Sequence, residues 1–382
     1  MNDVIDIAII GAGASGLMLG SLLKGREVVI FDGNSRVGAK ILVSGGGRCN
    51  ITNRWLEPVN YLGNHYFISE VLKQFDQYSL LKWLNDRGLE PVLHKNQQYF
   101  CPHSASEILD IFKKENRDNT IVTDQKIEEV SRRGEYFYIH AEKRSYHAKR
   151  VVIASGGLSF SLLGADDIGY RVAKSFGHTI KRTAPALVGF TLQKEQFFFK
   201  SLSGVSTDVE IKVAGQSCLG SLLFAHKGIS GPAVLDASLY WEKGQIEIDF
   251  LPGWNPYDHS RSKKLVSTLL PIPKRLSRVL LRELNIPDMP INQLKFSDVD
   301  KLLILKEYRF APAGTFGYGK AEVTKGGVDT DHIDSKTMMS KKTEGLYFLG
   351  EVLDVTGRLG GYNFQWAFSS AYVCSTALQN SR

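Results

Sequence analysis

The feature that most constrains this chain lies at its start, where the short run Asp6-Ile7-Ala8-Ile9-Ile10 leads directly into Gly11-Ala12-Gly13-Ala14-Ser15-Gly16. A brief apolar run closed by glycine reads as a strand buried on both faces of a parallel sheet. Leu17, Met18, Leu19, Leu22 and Leu23 then supply the apolar face of a helix, and Glu27 to Phe31 forms a second strand ending at Asp32. Together they make a βαβ unit of about 30 residues. The glycine spacing has a physical purpose. Gly11 permits the tight turn, Gly13 lets a pyrophosphate approach the backbone, and Gly16 allows helix and strand to pack closely. The helix N-terminus, at Ala14 and Ser15, offers free N–H groups and a positive dipole end to phosphates. Asp32, 16 residues beyond Gly16, is placed to accept both hydroxyl protons of an adenosine ribose. The stretch Ile7–Leu23 carries no charge, but glycines interrupt its centre and no basic segment precedes it. It is therefore expected to be strand, turn and helix rather than a membrane span or a signal sequence.

The fingerprint implies a dinucleotide but does not separate NAD from FAD. Two later segments do. Val151-Val152-Ile153-Ala154-Ser155-Gly156-Gly157 resembles the "ATG" strand midway through two-dinucleotide flavoproteins. Tyr347-Phe348-Leu349-Gly350-Glu351 resembles their C-terminal motif, in which an acidic residue after glycine meets the ribityl chain or pyrophosphate. All three in order predict FAD. Gly357 to Asn363 then leads into a helix whose apolar positions, Phe364, Ala367, Phe368, Ala371 and Cys374, follow three–four spacing. With Gly360, Gly361, Tyr362 and Asn363 at its entry, that helix would aim backbone donors at the flavin pyrimidine end. In Ser44-Gly45-Gly46-Gly47-Arg48-Cys49-Asn50, successive glycines let N–H groups converge on phosphate or on the flavin edge, and Arg48 adds charge. Lys40 is expected to assist at the pyrophosphate, and Ile127 to touch the cofactor. Cys49 is assigned packing or flavin contact rather than thiol chemistry.

The 382 residues, 43% hydrophobic and 23% charged, suit a soluble chain of two to three domains. Four scattered cysteines without a CxxC pair fit neither a disulfide framework nor a zinc site, and no metal is expected. They fit a reducing cytosol. The net charge of +7 suits anionic ligands without identifying one. Lys126 to His147 reads as a β-meander leading into the strand at Val151–Ala154, and Ile168 to Phe176 as a helix closed by Gly177. From about 190, alternating β-branched and aromatic segments (Phe190–Leu192, Val205–Val213, Ser217–Phe224, Gln245–Phe250) predict a small antiparallel barrel. Proline-punctuated stretches such as Ser262–Leu270 and Lys274–Leu284 predict a helical subdomain. Strand signal returns near Tyr308 and at Glu322–Thr324, then at Gly345–Glu351 before a helix from Tyr362 to Leu378. The expected architecture is α/β: a Rossmann-like two-dinucleotide FAD-binding domain of the glutathione-reductase type (1–190 and 323–382). It is interrupted by a β-barrel (191–252 and 306–322) and a helical subdomain (253–305).

Several motifs carry a family resemblance. Ser44 to Asn53 (SGGGRCNITN), Gly228 to Ala233 (GISGPA), Val323 to Val328 (VTKGGV), Thr337 to Lys341 (TMMSK), and Gly350 through Gln365 resemble the aminoacetone-oxidase/BaiN-like family of FAD-dependent oxidoreductases. The resemblance covers nearly the whole chain and implies a flavin domain, an inserted barrel and a small helical subdomain. The chain departs from the family at Leu163 to Tyr170 (LGADDIGY), where a "GSTGDGY"-like stretch is usual.

The expected chemistry is hydride transfer between flavin N5 and a small organic substrate, with the flavin ring under the inserted barrel. By resemblance, oxidation of an amine or aminoketone with oxygen is one reading. An NAD(P)H-driven reductase of an unsaturated or alicyclic substrate is the alternative. A flavin-binding regulatory protein, with structural FAD and a partner on the basic segment, is a third of another class. No general base stands out. His226 and Lys227, before Gly228-Ile229-Ser230-Gly231, are weak candidates to face substrate, and His94, His103 and His178 weaker still. Between Arg261 and Arg282 lie seven basic residues and no acidic one. A solvated helix face is the expected reading, since no aromatic stacking platform is interleaved there, so neither nucleic acid nor membrane is expected as a partner.

Overall fold

The computed structural model describes residues 4–142 and 144–381, which fall into two compact units. The first extends to Pro185 and resumes at Glu322, and the second is Ala186–Ala321.

In the first unit, β1 (Ile5–Ile10) and β2 (Val28–Phe31) form because their β-branched and aromatic side chains can be buried on both faces. They are central strands of a parallel sheet ordered Thr120–Val122, β2, β1, Ser145–Ile153, Leu346–Phe348. Chain order reverses between β1 and Ser145–Ile153, which makes their carboxyl ends the topological switch point of the sheet. The helix α1 (Ala14–Leu22) joins β1 to β2 and packs against the C-terminal helix Tyr362–Asn380. Trp366, Phe31, Phe112, Phe348 and Phe368 are fully buried in this core, each contributing roughly 1.5–3 kcal/mol of burial free energy.

Three sequence expectations change here. The third meander strand and the Val151–Ala154 strand are one strand, Ser145–Ile153. Its first half pairs antiparallel with Tyr136–Ala141 and its second half parallel with Leu346–Phe348, so an edge hairpin and a central strand share one backbone. The expected strand at Gly345–Glu351 stops at Phe348, because Gly350 takes a left-handed φ of 68° and opens a 3₁₀ turn over Gly350–Val352. The helix expected at Ser262–Leu270 shrinks to Val266–Leu269.

The second unit carries an antiparallel sheet ordered Tyr308–Phe310, Ile246–Asp249, Ser206–Val213, Gln216–Ala225, Gly228–Ser230, Phe190–Thr191, Gly314–Thr315. Thr207, Val209, Ile211 and Val213 alternate inward along one strand. The two-residue turn Ala214-Gly215 has positive φ at both positions, as the twist of a tight hairpin requires. The helices Val266–Leu269, Lys274–Glu283 and Phe296–Lys301 bury their apolar faces in the same cluster as the sheet, with Leu276, Leu280 and Val299 beside Phe199 and Ile211. The segment 253–305 thus shares the sheet's core.

One histidine of the first unit is structural. His178 is 4% exposed, its Nε2 lies 2.7 Å from Ser340 Oγ, and its Nδ1 has no partner among the described residues. Burial, then the charges of Lys342 and His332, holds its imidazole down at about 4. Between pH 6.5 and 4 the unfolded chain therefore takes up a proton that the folded chain refuses. Stability present above pH 6.5 is lost as pH falls, by up to about 3 kcal/mol. Urea midpoints of the wild type should fall over this window more steeply than those of His178→Gln. Parallel pH profiles would show that another group titrates.

Candidate functional site

At the switch point the glycine turn after β1 meets Ala154 and Ser155. Gly11 directly follows β1 with φ of 111°, and a Cβ there would lie 2.4 Å from the Ala154 carbonyl oxygen. Side chains are thus excluded where β1 abuts Ala154 and Ser155. At Gly16 a Cβ would lie 1.9 Å from the Gly11 carbonyl oxygen, which is the close helix–strand packing that the spacing implied. Gly13 is the opposite case: nothing lies within 4 Å of its absent Cβ. It is the N-cap of α1 and makes no side-chain capping bond, so the first N–H groups of α1, over Ala14 and Ser15, have no side-chain partner among the described residues. An open backbone at an uncapped helix start fits a pyrophosphate. Nearby, the Ser155 Oγ is buried without a hydrogen-bond partner among the described residues, a polar atom that a ligand can satisfy.

Asp32 sits at the end of β2, half-buried. Its Oδ2 accepts the Ala12 N–H at 2.8 Å and its Oδ1 the Asn34 N–H at 2.8 Å. The carboxylate thus fastens the glycine turn to β2, and each oxygen keeps a lone pair for a ribose hydroxyl. The segment leading to Ile127 lies alongside: Gln125 N–H donates to the Asp32 carbonyl at 3.0 Å and Asp124 N–H to that of Asn34 at 3.1 Å. Ile127 itself is 4% exposed and belongs to the core. In the atypical stretch, Asp166 accepts the Ile168 N–H at 2.8 Å and pairs with Lys126 at 2.9 Å, while Asp167 pairs with Arg171 at 2.8 Å. Its carboxylates are engaged in starting and bracing a helix.

A second cluster lies at the C-terminal motif. Glu351 Oε2 accepts from Lys40 Nζ at 2.6 Å, and Oε1 accepts from Ser159 Oγ and the Thr324 N–H, both at 2.8 Å. Thr324 Oγ1 in turn accepts the N–H groups of Leu158 at 2.8 Å and Ser159 at 3.1 Å. A Cβ on Gly157 would lie 2.6 Å from Thr324 Oγ1 and 2.7 Å from Glu351 Oε1, which explains the second glycine of Gly156-Gly157. The Lys40 ammonium also lies 5.8 Å from the Phe160 ring centroid. Gly350 is held by Trp366 Nε1 on its carbonyl at 3.1 Å and by Ser370 Oγ on its N–H at 3.1 Å. A Cβ on it would meet Ser15 Oγ at 2.8 Å, so the C-terminal motif reaches the first turn of α1. Neither Ser159 nor Thr324 was picked out as a site residue. The signal was present, since Thr324 belongs to the VTKGGV motif.

The Ser44–Asn50 loop forms a 3₁₀ turn in which Gly45, Gly46 and Gly47 all have positive φ. Ser44 Oγ donates to the Ile41 carbonyl at 2.7 Å, and Asn50 Nδ2 donates to Gln98 Oε1 at 3.0 Å, leaving Asn50 Oδ1 buried without a partner among the described residues. Arg48 is exposed. Cys49 has a neighbour that spacing concealed. Pairing of Asn50–Asn53 with Gln98–Phe100 brings up Cys101, whose N–H donates to the Cys49 carbonyl at 3.4 Å. Both cysteines are buried. The hydrogen bond with Cys101, then burial, pushes the Cys49 thiol well up, so it stays protonated and unreactive. At the C-terminal helix, Gly361 is an N-cap without a side-chain cap. Asn53 Nδ2 donates to the Gly360 carbonyl at 3.1 Å, Tyr362 Oη to that of Trp55 at 3.1 Å, and Asn363 holds Gly357 by both backbone groups at 2.8 and 2.9 Å. His226 and Lys227 form an exposed turn between Gln216–Ala225 and Gly228–Ser230 of the second unit. Among the described residues no group of three or more metal-binding side chains occurs, and no helix is long and apolar enough to cross a membrane.

Known proteins resemble this chain over nearly its whole length. A family model described as HI0933-like protein Rossmann domain matches residues 5–377. The ribosomal RNA dihydrouridine synthase of Haemophilus influenzae is 38% identical over 99% of this chain and 99% of its own. The 3-dehydro-bile acid delta(4,6)-reductase of Clostridium scindens is 31% identical over 97% of this chain and 98% of its own. Among solved structures, 3-ketosteroid delta1-dehydrogenase from Sterolibacterium denitrificans superposes with a TM-score of 0.54 at 11% identity. That match covers 99% of this chain and all of the other, a likeness of fold.

Proposed function

The chain belongs to the HI0933-like Rossmann family of the FAD-dependent oxidoreductase superfamily, and from that premise we propose that it uses FAD to reduce a uridine base in ribosomal RNA. The observation that carries this reading is the chemistry shared by the relatives' names. Dihydrouridine is uridine with its C5–C6 double bond saturated, and the bile-acid relative is named for a reduction at steroid double bonds. Each adds a hydride and a proton across a carbon–carbon double bond conjugated to a carbonyl. The greater identity to the RNA enzyme favours the base over the steroid. When bound, FAD would relay a hydride from NAD(P)H to C6 of the base, with a proton completing C5.

This chain's residues would do the holding. The uncapped start of α1 and the open space at Gly13 would take the pyrophosphate, and Asp32 the ribose through its remaining lone pairs. The Lys40–Glu351–Ser159–Thr324 cluster would border the ribityl chain. The uncapped helix start at Gly361 would oppose the negative charge that builds on the pyrimidine end of the flavin. The same site would also serve amine oxidation with oxygen, but neither relative's name supports that direction.

The test is anaerobic. Purified yellow protein, NAD(P)H and unmodified ribosomal RNA should give RNA in which one uridine has gained two hydrogens by mass spectrometry. If NAD(P)H leaves the flavin oxidised while an amine bleaches it, and no uridine is reduced, the oxidase reading replaces this one.

A further inference from the structure

We infer that the cationic face of the helix Lys274–Glu283, with the exposed Arg261–Lys264 segment that precedes it in the chain, binds the sugar–phosphate backbone of the substrate RNA. This rests on the reading that the substrate is RNA. The helix fixes which side chains face out. Leu276, Ser277, Leu280 and Leu281 are buried, whereas Lys274, Arg275, Arg278 and Arg282 are exposed. These four positions fall within an arc of about 100° at 3.6 residues per turn. Arg261, Lys263 and Lys264 are exposed as well.

What sets this face apart is the lack of neutralisation. Four lysines on or next to other helices pair with a carboxylate three or four residues away: Lys73 with Glu70, Lys82 with Asp86, Lys113 with Asp110 and Lys301 with Asp298, whereas Lys114 and Lys174 stand singly without such a pair among the described residues. That is the ordinary pattern of a solvated helix. Of the seven cations here, only Arg282 has a carboxylate partner among the described residues, Glu283 at 3.4 Å. A strip of uncompensated charge is what a chain of phosphates fits, since each contact releases a condensed counterion.

In the fold an aromatic does accompany these charges. The Arg275 guanidinium donates to the Ser201 carbonyl, tying the helix to the segment Lys194–Leu202. On that segment Phe197 is 44% exposed, with the Lys200 ammonium 3.3 Å from its ring centroid. An exposed ring beside a cationic strip offers an unpaired base a stacking surface. The carboxylates on these two elements are Glu195 and Glu283.

The experiment compares wild-type holoprotein with the triple variant Lys263→Ala/Lys264→Ala/Arg278→Ala and with Phe197→Ala. Binding to protein-free ribosomal RNA is measured across a range of salt concentrations. The triple variant should bind on the order of 10- to 100-fold more weakly near physiological salt, with a salt slope smaller by about 2–3. Phe197→Ala should weaken binding while leaving the slope unchanged. Both should stay yellow, and NAD(P)H should reduce their flavin as in the wild type. Wild-type affinity and slope in the triple variant, with uridine reduction intact, would overturn this surface alone. Wild-type protein that neither binds RNA nor reduces its uridines would overturn the substrate reading as well. Binding of polyglutamate in place of RNA would assign the face to an acidic protein and overturn the proposal.

Discussion

Replacing Gly11 with alanine is expected to give a protein that is colourless on purification and melts well below the wild type. The added Cβ would lie 2.4 Å from the Ala154 carbonyl oxygen, 2.7 Å from its carbon and 2.9 Å from the Ser155 Cα. All three are backbone atoms of a central sheet segment, so no side chain can swing aside. The left-handed φ of 111° adds strain for any L-residue. Backbone strain of about 1–3 kcal/mol and overpacking of about 1–3 kcal/mol together give a loss of about 2–6 kcal/mol, or roughly 10 °C in Tm. Gly13→Ala separates folding from binding. Its φ is −88° and nothing lies within 4 Å of the new methyl, so stability should change by no more than about 1 kcal/mol. The methyl nevertheless occupies the space assigned to the pyrophosphate, and FAD affinity should fall by on the order of tenfold or more, about 1.4 kcal/mol or beyond. Thermal melts of flavin-stripped protein, followed by fluorescence titration with FAD, measure the two effects separately. Undiminished FAD binding by Gly13→Ala would place the phosphates elsewhere, and wild-type stability in Gly11→Ala would refute the strand contact at Ala154.

The contrast between these glycines shows how much could be read beforehand. Gly16 was legible from spacing because its contact with Gly11 is local to one strand, turn and helix, whereas the contact of Gly11 with Ala154 lies far off in sequence and was not. Asp32 was legible as the polar end of β2, but its bonds to the Ala12 and Asn34 N–H groups were not, since side-chain acceptors follow loop geometry that periodicity does not encode. Contacts distant in sequence were harder still. Lys40 and Glu351 are 311 positions apart, and each was noted for a separate reason. Cys49 looked solitary until strand pairing brought Cys101 to it. The break after Phe348 depends on the left-handed turn at Gly350, whereas the apolar pattern alone runs on through Leu349. The basic strip was visible as composition, and its aromatic neighbour Phe197 was not, because Arg275 and Ser201 meet only in the fold.

The Lys40–Glu351 pairing supports the second large expectation, that Glu351→Ala destabilises the protein and weakens its hold on flavin. Glu351 accepts from three segments at once: Lys40 Nζ, Ser159 Oγ and the Thr324 N–H, at 2.6, 2.8 and 2.8 Å. Its side chain is 19% exposed and that of Lys40 is 34% exposed, so the ammonium recovers part of its hydration when the partner is lost. The Ser159 hydroxyl and Thr324 N–H recover less, and leaving such donors unmatched costs about 1–3 kcal/mol each. Discounting the solvent-screened ion pair, the expected loss is about 3 kcal/mol. Glu351→Gln keeps the shape and one acceptor but points an amide N–H₂ at a donor, so about half that loss is expected. A double-mutant cycle with Lys40→Met then tests whether the two act as a unit. If they do, Lys40→Met/Glu351→Gln should be more stable than the sum of the single losses implies, by about 0.5–3 kcal/mol, because the second change removes a group the first had stranded. Strict additivity, in both melting temperature and FAD affinity, would mean that Lys40 is held by something other than Glu351 and that the cluster does not organise the flavin site.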